Sequence, residues 1–198
     1  MNDDRLGRID QASRTAPGGA ASFFGIACDG LGRRTITARA SSQTNTYGYD
    51  AENRLTSAST AGGTTLTYDP LGRLYQTSSP VFGKSQFLYD GPHVAAEYNG
   101  AGGAITRRFF WGPGADEPIL QDEGGAMSCA GTRFLHTDDL GSIVPVADCW
   151  GNRTNVNSYD EYGIPAATNW GRFQYTGQAW IADLGMYYYK ARLYSPTL

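Results

Sequence analysis

Eight of the fourteen aspartates in this chain have Gly or Asn three residues downstream, where chance placement of 26 Gly and 8 Asn among 198 residues gives about two. The units open at Asp4, Asp29, Asp50, Asp69, Asp122, Asp138, Asp148 and Asp160. They close at Gly7, Gly32, Asn53, Gly72, Gly125, Gly141, Gly151 and Gly163. In the first four, Arg follows at once, as Arg8, Arg33, Arg54 and Arg73. A signature repeated this often describes one supersecondary unit used many times.

The clearest copy is LTYDPLGRL at residues 66–74. The Asp69 carboxylate accepts backbone N–H groups two residues on and starts a turn. Pro70 presets φ for the next position, and Gly72 tolerates the positive φ that closes the reversal. Before the turn Thr64, Leu66 and Tyr68 share one strand face, and Thr65 and Thr67 take the other. The run after it is again β-prone, so the unit is a β-hairpin. Turn aspartates lie 21 residues apart from Asp29 to Asp50, 19 from there to Asp69, and 21 more to Asp90, where the closing Gly is lost. About twenty residues supply two strands and two turns. Tyr49, Tyr68, Tyr89 and Tyr159 stand before the turn, with Cys28 in that place once. Neighbouring hairpins then stack these tyrosines along one face.

With 26 Gly and 9 Pro there is no room for long helices, and no interval has helical spacing. The fold class predicted is all-β: tandem β-hairpins forming a curved, spiralling antiparallel sheet. Hairpins occupy residues 1–110, with a Gly/Ala-rich interruption at 16–21. Residues 111–198 continue the same β-structure without independent domains, beginning with a loop around one short strand at 119–121. Met186 to Tyr194 reads as a single strand. Tyr187, Tyr189, Ala191 and Leu193 would share one face, and Tyr188, Lys190, Arg192 and Tyr194 the other.

Net charge is −3, and Arg107-Arg108 is an isolated pair, so there is no electrostatic footprint for nucleic acid. No apolar run approaches the ~18 residues of a membrane span. The acidic start at Met1 has no apolar segment of a signal peptide, so export would use another signal or a dedicated secretion machine. The three cysteines, Cys28, Cys129 and Cys149, are an odd number without Cys-x-x-Cys spacing. They support neither a disulfide scaffold nor a zinc site, and Cys28 reads as a small buried hydrophobe.

His136 with Asp138 and Asp139 is the one cluster that invites a metal or acid–base reading. Asp138 also opens a turn, however, and the only other histidine, His93, is distant in sequence. No catalytic residue, metal ligand or cofactor is assigned, and the chain reads as non-enzymatic. Asp4, Asp29, Asp50, Asp69, Asp138, Asp148 and Asp160 are turn anchors, with Gly32, Gly72, Gly141 and Gly163 as turn closers. Tyr49, Tyr68, Tyr89 and Tyr159 are packing residues. Trp111, Trp150, Trp170 and Trp180 either pack within the sheet or stack on sugars.

These residues resemble the RHS family, whose tyrosine–aspartate (YD) repeats have this unit. Towards the C-terminus the likeness is to the family's RHS-associated core. It is carried by WGPGADEP at 111–118, HTDDLGS at 136–142, YDEYG at 159–163, FQYTGQ at 173–178 and LGMYYYKAR at 184–192. The resemblance implies a β-cage, a sheet curled around a toxic C-terminal domain, with a self-cleavage motif after the core. This chain stops at Leu198, short of that motif. The implied function is a structural shell segment of a polymorphic toxin. Its partners would be the toxin domain as cargo, the remaining RHS shell and secretion machinery, with self-association possible through exposed sheet edges. The implied location is secreted or cell-surface, as part of a larger bacterial protein. Two alternatives stand beside it: a carbohydrate-binding or adhesion module built from the same repeats, and a self-cutting protease.

Overall fold

The structure, a computed structural model, describes residues 2–3, 9–15, 21–39, 44–124 and 126–197. Asp4, Gly7, Arg8 and Gly125 lie outside the described residues, as does most of the Gly/Ala-rich stretch at 16–21. The described chain is almost all β. Its first five strands are β1 (Asn2–Asp3), β2 (Ile9–Thr15), β3 (Ala21–Cys28), β4 (Arg34–Arg39) and β5 (Thr44–Tyr49). Next come β6 (Leu55–Ala58), β7 (Thr64–Tyr68), β8 (Leu74–Ser79), β9 (Gly83–Asp90) and β10 (His93–Asn99). Then follow β11 (Ile105–Trp111), β12 (Pro118–Glu123), β13 (Thr132–Thr137), β14 (Ile143–Ala147) and β15 (Arg153–Val156). These fifteen strands make one sheet in strict sequence order, and the sheet is open, with β1 and β15 at its ends. Every pairing is antiparallel. Consecutive strands therefore lie side by side, as tandem hairpins require.

In β7 the buried residues are Thr64 and Leu66 while Thr65 and Thr67 are exposed, an alternation with one face turned inward. What covers that face is the chain's own C-terminal segment. After β15 the chain forms β16 (Ala179–Ile181), β17 (Met186–Tyr189) and β18 (Arg192–Tyr194), a separate three-stranded sheet. Leu55, Leu66, Leu74, Phe109, Ile143 and Val146 of the large sheet share one core with Phe173, Ile181, Leu184, Met186 and Tyr188 of the returning segment. Burying such side chains stabilises by roughly 1.5–3 kcal/mol each, so this contact is the main source of tertiary stability.

Three expectations are corrected here. Met186 to Tyr194 is a hairpin, β17 to β18, reversing at Lys190 with φ 58. Tyr187 and Tyr188, expected on opposite faces of a half-exposed strand, are both buried, because β17 is the middle strand of the small sheet and lies under the large one. Cys129 and Cys149 form a disulfide with Cα atoms 5.4 Å apart. Their positions fall on the β12–β13 and β14–β15 connections, which the meander places on the same rim. Cys28 is a free thiol and only half-buried, since it sits at the mouth of a turn.

Candidate functional site

The repeated turn is a bracing device built from three side chains. At Asp69, Oδ1 accepts the backbone N–H groups of Leu71 and Arg73, both at 2.9 Å. Its Oδ2 accepts Arg73 Nε at 2.7 Å. Gly72 N–H donates to the Asp69 carbonyl at 2.9 Å, and Gly72 has φ 80, the left-handed position of a three-residue hairpin loop. Asp50 with Arg54 and Asp29 with Arg33 repeat the arrangement. Asp138, Asp148 and Asp160 accept the same two backbone N–H groups, with Ser142, Asn152 and Ile164 at the position that Arg33, Arg54 and Arg73 hold in the other turns. Burial pushes the Asp29, Asp50 and Asp69 carboxyls up, but the hydrogen bonds from the turn and the arginine outweigh it, leaving each below its ordinary value.

Each arginine also reaches the next hairpin. The guanidinium carbons of Arg33, Arg54 and Arg73 lie 5.4, 5.0 and 4.6 Å from the ring centroids of Tyr49, Tyr68 and Tyr89. The tyrosine hydroxyl then ties its own hairpin to the one before. Tyr49 donates to the Arg34 carbonyl at 2.8 Å, Tyr68 to Leu55 at 2.8 Å and Tyr89 to Leu74 at 2.9 Å. Tyr159 does the same to Ile143 at 2.7 Å, and Trp111 uses its indole N–H on Val94 at 2.8 Å. Each accepting residue follows the preceding turn. The tyrosines form a row as the spacing suggests, with the rings of Tyr49, Tyr68 and Tyr89 each meeting an arginine of the preceding unit and that of Tyr159 lying beside Tyr175. Burial holds the Tyr68, Tyr89 and Tyr159 phenols well above their ordinary range.

Not every aspartate of the sequence signature serves this device. Asp122 lies buried in β12 and accepts the Thr132 hydroxyl at 3.0 Å; it opens no turn. Asp148 turns β14 into β15, on the rim opposite to Asp138, because successive connections of a meander alternate between rims. Asp90 closes a two-residue loop with Gly91 at φ 55.

The structure does not assemble the His136 cluster. His136, Asp138 and Asp139 are exposed, and His93 lies on β10, three strands from β13, where it stacks on Trp111 at 4.4 Å. Among the described residues no group of three His, Cys, Asp or Glu side chains is placed to hold a metal ion.

A second polar constellation was not visible in the sequence. Glu97 of β10 is 1 % exposed and meets Arg107 of β11 at 3.1 Å and Arg172 of the returning segment. Burial pushes this carboxyl up, but the two guanidinium groups prevail and hold it at about 2. Gln121 Oε1 accepts Arg172 N–H at 3.0 Å, and Ser79 donates to Asp183 Oδ1 at 2.5 Å. Asp116 of the β11–β12 loop takes Lys190 on one oxygen and Gln178 on the other. These contacts fasten residues 172–190 onto the large sheet. The sequence signal was weak: alternation from the buried Val94 and Ala96 would place Glu97 outside, and the β-bulge beside it breaks that alternation.

An open meander of about twenty-residue hairpins, cross-braced from turn to preceding hairpin, defines a β-hairpin repeat protein. Residues 49–81 match the RHS repeat. The chain thus carries an RHS repeat at these residues. It is 28 % identical over 163 residues to the tRNA nuclease WapA of Bacillus subtilis strain 168, an alignment covering 76 % of this chain and 7 % of that protein. It is 27 % identical over 163 residues to the tRNA3(Ser)-specific nuclease WapA of Bacillus spizizenii, with the same coverage. Among solved structures, the crystal structure of TcdB2-TccC3-TEV superposes with a TM-score of 0.61 at 16 % identity, covering 98 % of this chain and 11 % of that one. That likeness speaks for the fold. The chain spans only a small fraction of the proteins it matches. No helix among the described residues is long and apolar enough to cross a membrane.

Proposed function

We propose that the chain is a non-enzymatic wall segment of an RHS shell that encloses a C-terminal toxin domain. The observation that carries this reading is the cross-bracing. The hairpins that turn at Asp50, Asp69 and Asp90 are each tied to the preceding one by a tyrosine hydroxyl and an arginine, a unit that can repeat along the sheet as a continuous wall. The repeat carboxylates are committed to backbone N–H groups, which leaves them structural rather than reactive. The partners of this wall are the remaining shell repeats and the cargo, and its place is secreted or at the cell surface within a larger bacterial protein. The Cys129–Cys149 disulfide supports an oxidising compartment.

The test is protease protection of a longer natural chain that carries this segment together with its downstream domain. The downstream domain should resist digestion until the shell is unfolded by denaturant. Digestion at the same rate as the isolated domain would refute enclosure. Incubation of this chain alone with tRNA should leave the RNA intact, and cleavage would refute the non-enzymatic assignment.

A further inference from the structure

Connections of the meander alternate between rims, so those joining β8–β9, β12–β13 and β14–β15 share one rim. Each carries large apolar side chains in water: Val81 and Phe82, then Met127, then Trp150, which is 73 % exposed. The turn at Asp148 uses only the backbone N–H of Trp150, so its indole is not needed to build it. These tips are nevertheless held in place. Phe82 N–H donates to Ser79 Oγ at 3.1 Å, and Arg133 donates to the Ala130 carbonyl at 3.0 Å. The Cys129–Cys149 disulfide ties the Met127 loop to the Trp150 turn. Among the described residues, the other connections of this rim, 59–63 and 100–104, carry neither a charge nor a large side chain. The apolar surface of the rim is therefore concentrated at three braced tips.

Charge selects the partner. Lys84 stands two residues past Phe82 and Arg153 three past Trp150, and both are exposed. Among the described residues neither cation pairs with a protein group. The carboxylates nearest these tips are committed: Glu123 to Arg107, Asp122 to Thr132, and Asp148 to the N–H groups of its own turn. The opposite rim also has exposed apolar tips, at Leu31, Leu71 and Leu140. There, however, Arg33, Arg54 and Arg73 are bound to turn carboxylates, and the exposed Glu52, Asp90 and Asp139 leave it acidic. Apolar tips flanked by free cations suit a layer that is anionic at its face and hydrocarbon beneath. Indole settles among lipid headgroups with its N–H towards water, and Lys and Arg are drawn to anionic leaflets. We infer that this rim docks on an anionic phospholipid bilayer, with Trp150, Met127, Val81 and Phe82 entering the headgroup region and Lys84 and Arg153 on the lipid phosphates. The chain lies on the bilayer and does not cross it. Val81 and Trp150 are six strand spacings apart, about 29 Å along the rim, a span that an extended surface engages at once. This docking goes beyond the shell reading and requires no enclosed cargo.

The experiment floats the whole chain with phospholipid vesicles on a density gradient, where bound chain rises and self-associated chain sinks. Vesicles of phosphatidylcholine mixed with phosphatidylserine should carry the chain upward, and phosphatidylcholine alone should carry far less. Added salt should release it, because exposed charges are screened. Tryptophan emission should move to the blue on binding. Trp150 is the one exposed indole, the other three being half-buried, so Trp150→Ser should abolish that shift. The same variant should weaken binding about tenfold. Lys84→Gln combined with Arg153→Gln should weaken it about thirtyfold. All these side chains are exposed, so circular dichroism should stay that of the wild type. Leu71→Ser, on the acidic rim, should leave binding unchanged. The inference is overturned if anionic vesicles carry no chain, or if both kinds of vesicle carry it equally. It is also overturned if Leu71→Ser weakens binding as much as Trp150→Ser. A Trp150→Ser chain that changes from oligomer to monomer while its vesicle binding stays intact would assign the rim to a second copy instead.

Discussion

At the scale of single residues, two carboxylates do different work and fail differently. Asp69 is a turn anchor whose Oδ1 takes two backbone N–H groups, so its geometry matters more than its charge. Asp69→Ala should cost about 1 kcal/mol, whereas Asp69→Asn, which keeps an acceptor oxygen, should cost less than half of that. Urea denaturation of the two variants separates these values, and equal losses would mean that the Arg73 ion pair dominates instead. Glu97 is the opposite case, a buried charge held by two arginines across two chain segments. Its carboxyl sits at about 2 against an ordinary 4.5. A lowered carboxyl contributes stability that is complete above the unfolded value and fades as pH falls towards the folded one. The wild type should therefore weaken progressively from about pH 5 down to about pH 2. Glu97→Gln should cost about 3 kcal/mol at pH 7, because two guanidinium groups lose their counter-charge. Measured at pH 3, the gap between variant and wild type should shrink. A gap independent of pH would place the stabilisation in hydrogen bonding alone.

At the scale of elements, what the sequence disclosed and what it hid follow from the range of the forces involved. The hairpin at Tyr68, Asp69, Gly72 and Leu74 is legible because every group that makes the turn lies within a few residues of it. The β17–β18 hairpin escaped notice because its reversal uses Lys190 in the left-handed region, with neither Gly nor Asn to announce it. Asp122 carries the right neighbours at the right spacing, yet sheet register buries it in β12. The Glu97–Arg172 pair joins residues 75 apart, and no local rule connects them. The Cys129–Cys149 bridge was hidden for the same reason: only the meander places the β12–β13 and β14–β15 connections on one rim. That bridge closes a separation of 20 residues. Cross-linking a loop of this size stabilises by about 3 kcal/mol, chiefly by restricting the unfolded chain. Reductant should accordingly lower the melting temperature of the wild type. The Cys129→Ser, Cys149→Ser double variant should melt at that reduced value and ignore reductant. Unchanged melting on reduction would show that the two connections are held by the strands alone.

For the whole molecule, the decisive property is that fifteen strands are paired in sequence and the sheet does not close on itself. The returning segment solves the problem of the buried face, covering Leu55, Leu66, Leu74 and Ile143 with Ile181, Met186 and Tyr188. It leaves the other problem, the edges, because among the described residues β1 and β15 each pair on one side only. Just after β15 the Asn157 N–H bonds back to Val144, and since strand N–H groups alternate in direction, those of Thr154 and Val156 face away from the sheet. Val156 is also 49 % exposed, so the edge offers both unpaired backbone and apolar surface to another strand. Such an edge templates pairing. The isolated chain should therefore associate in a concentration-dependent way, seen by light scattering. Val156→Lys should shift it towards monomer without lowering its melting temperature, since a lysine on an edge repels a second edge while its own fold loses no buried contact. A wild-type chain that stays monomeric at high concentration would show the edges to be blocked. The same sheet edges would then be unavailable for joining further repeats, and the extended wall would lose its physical basis.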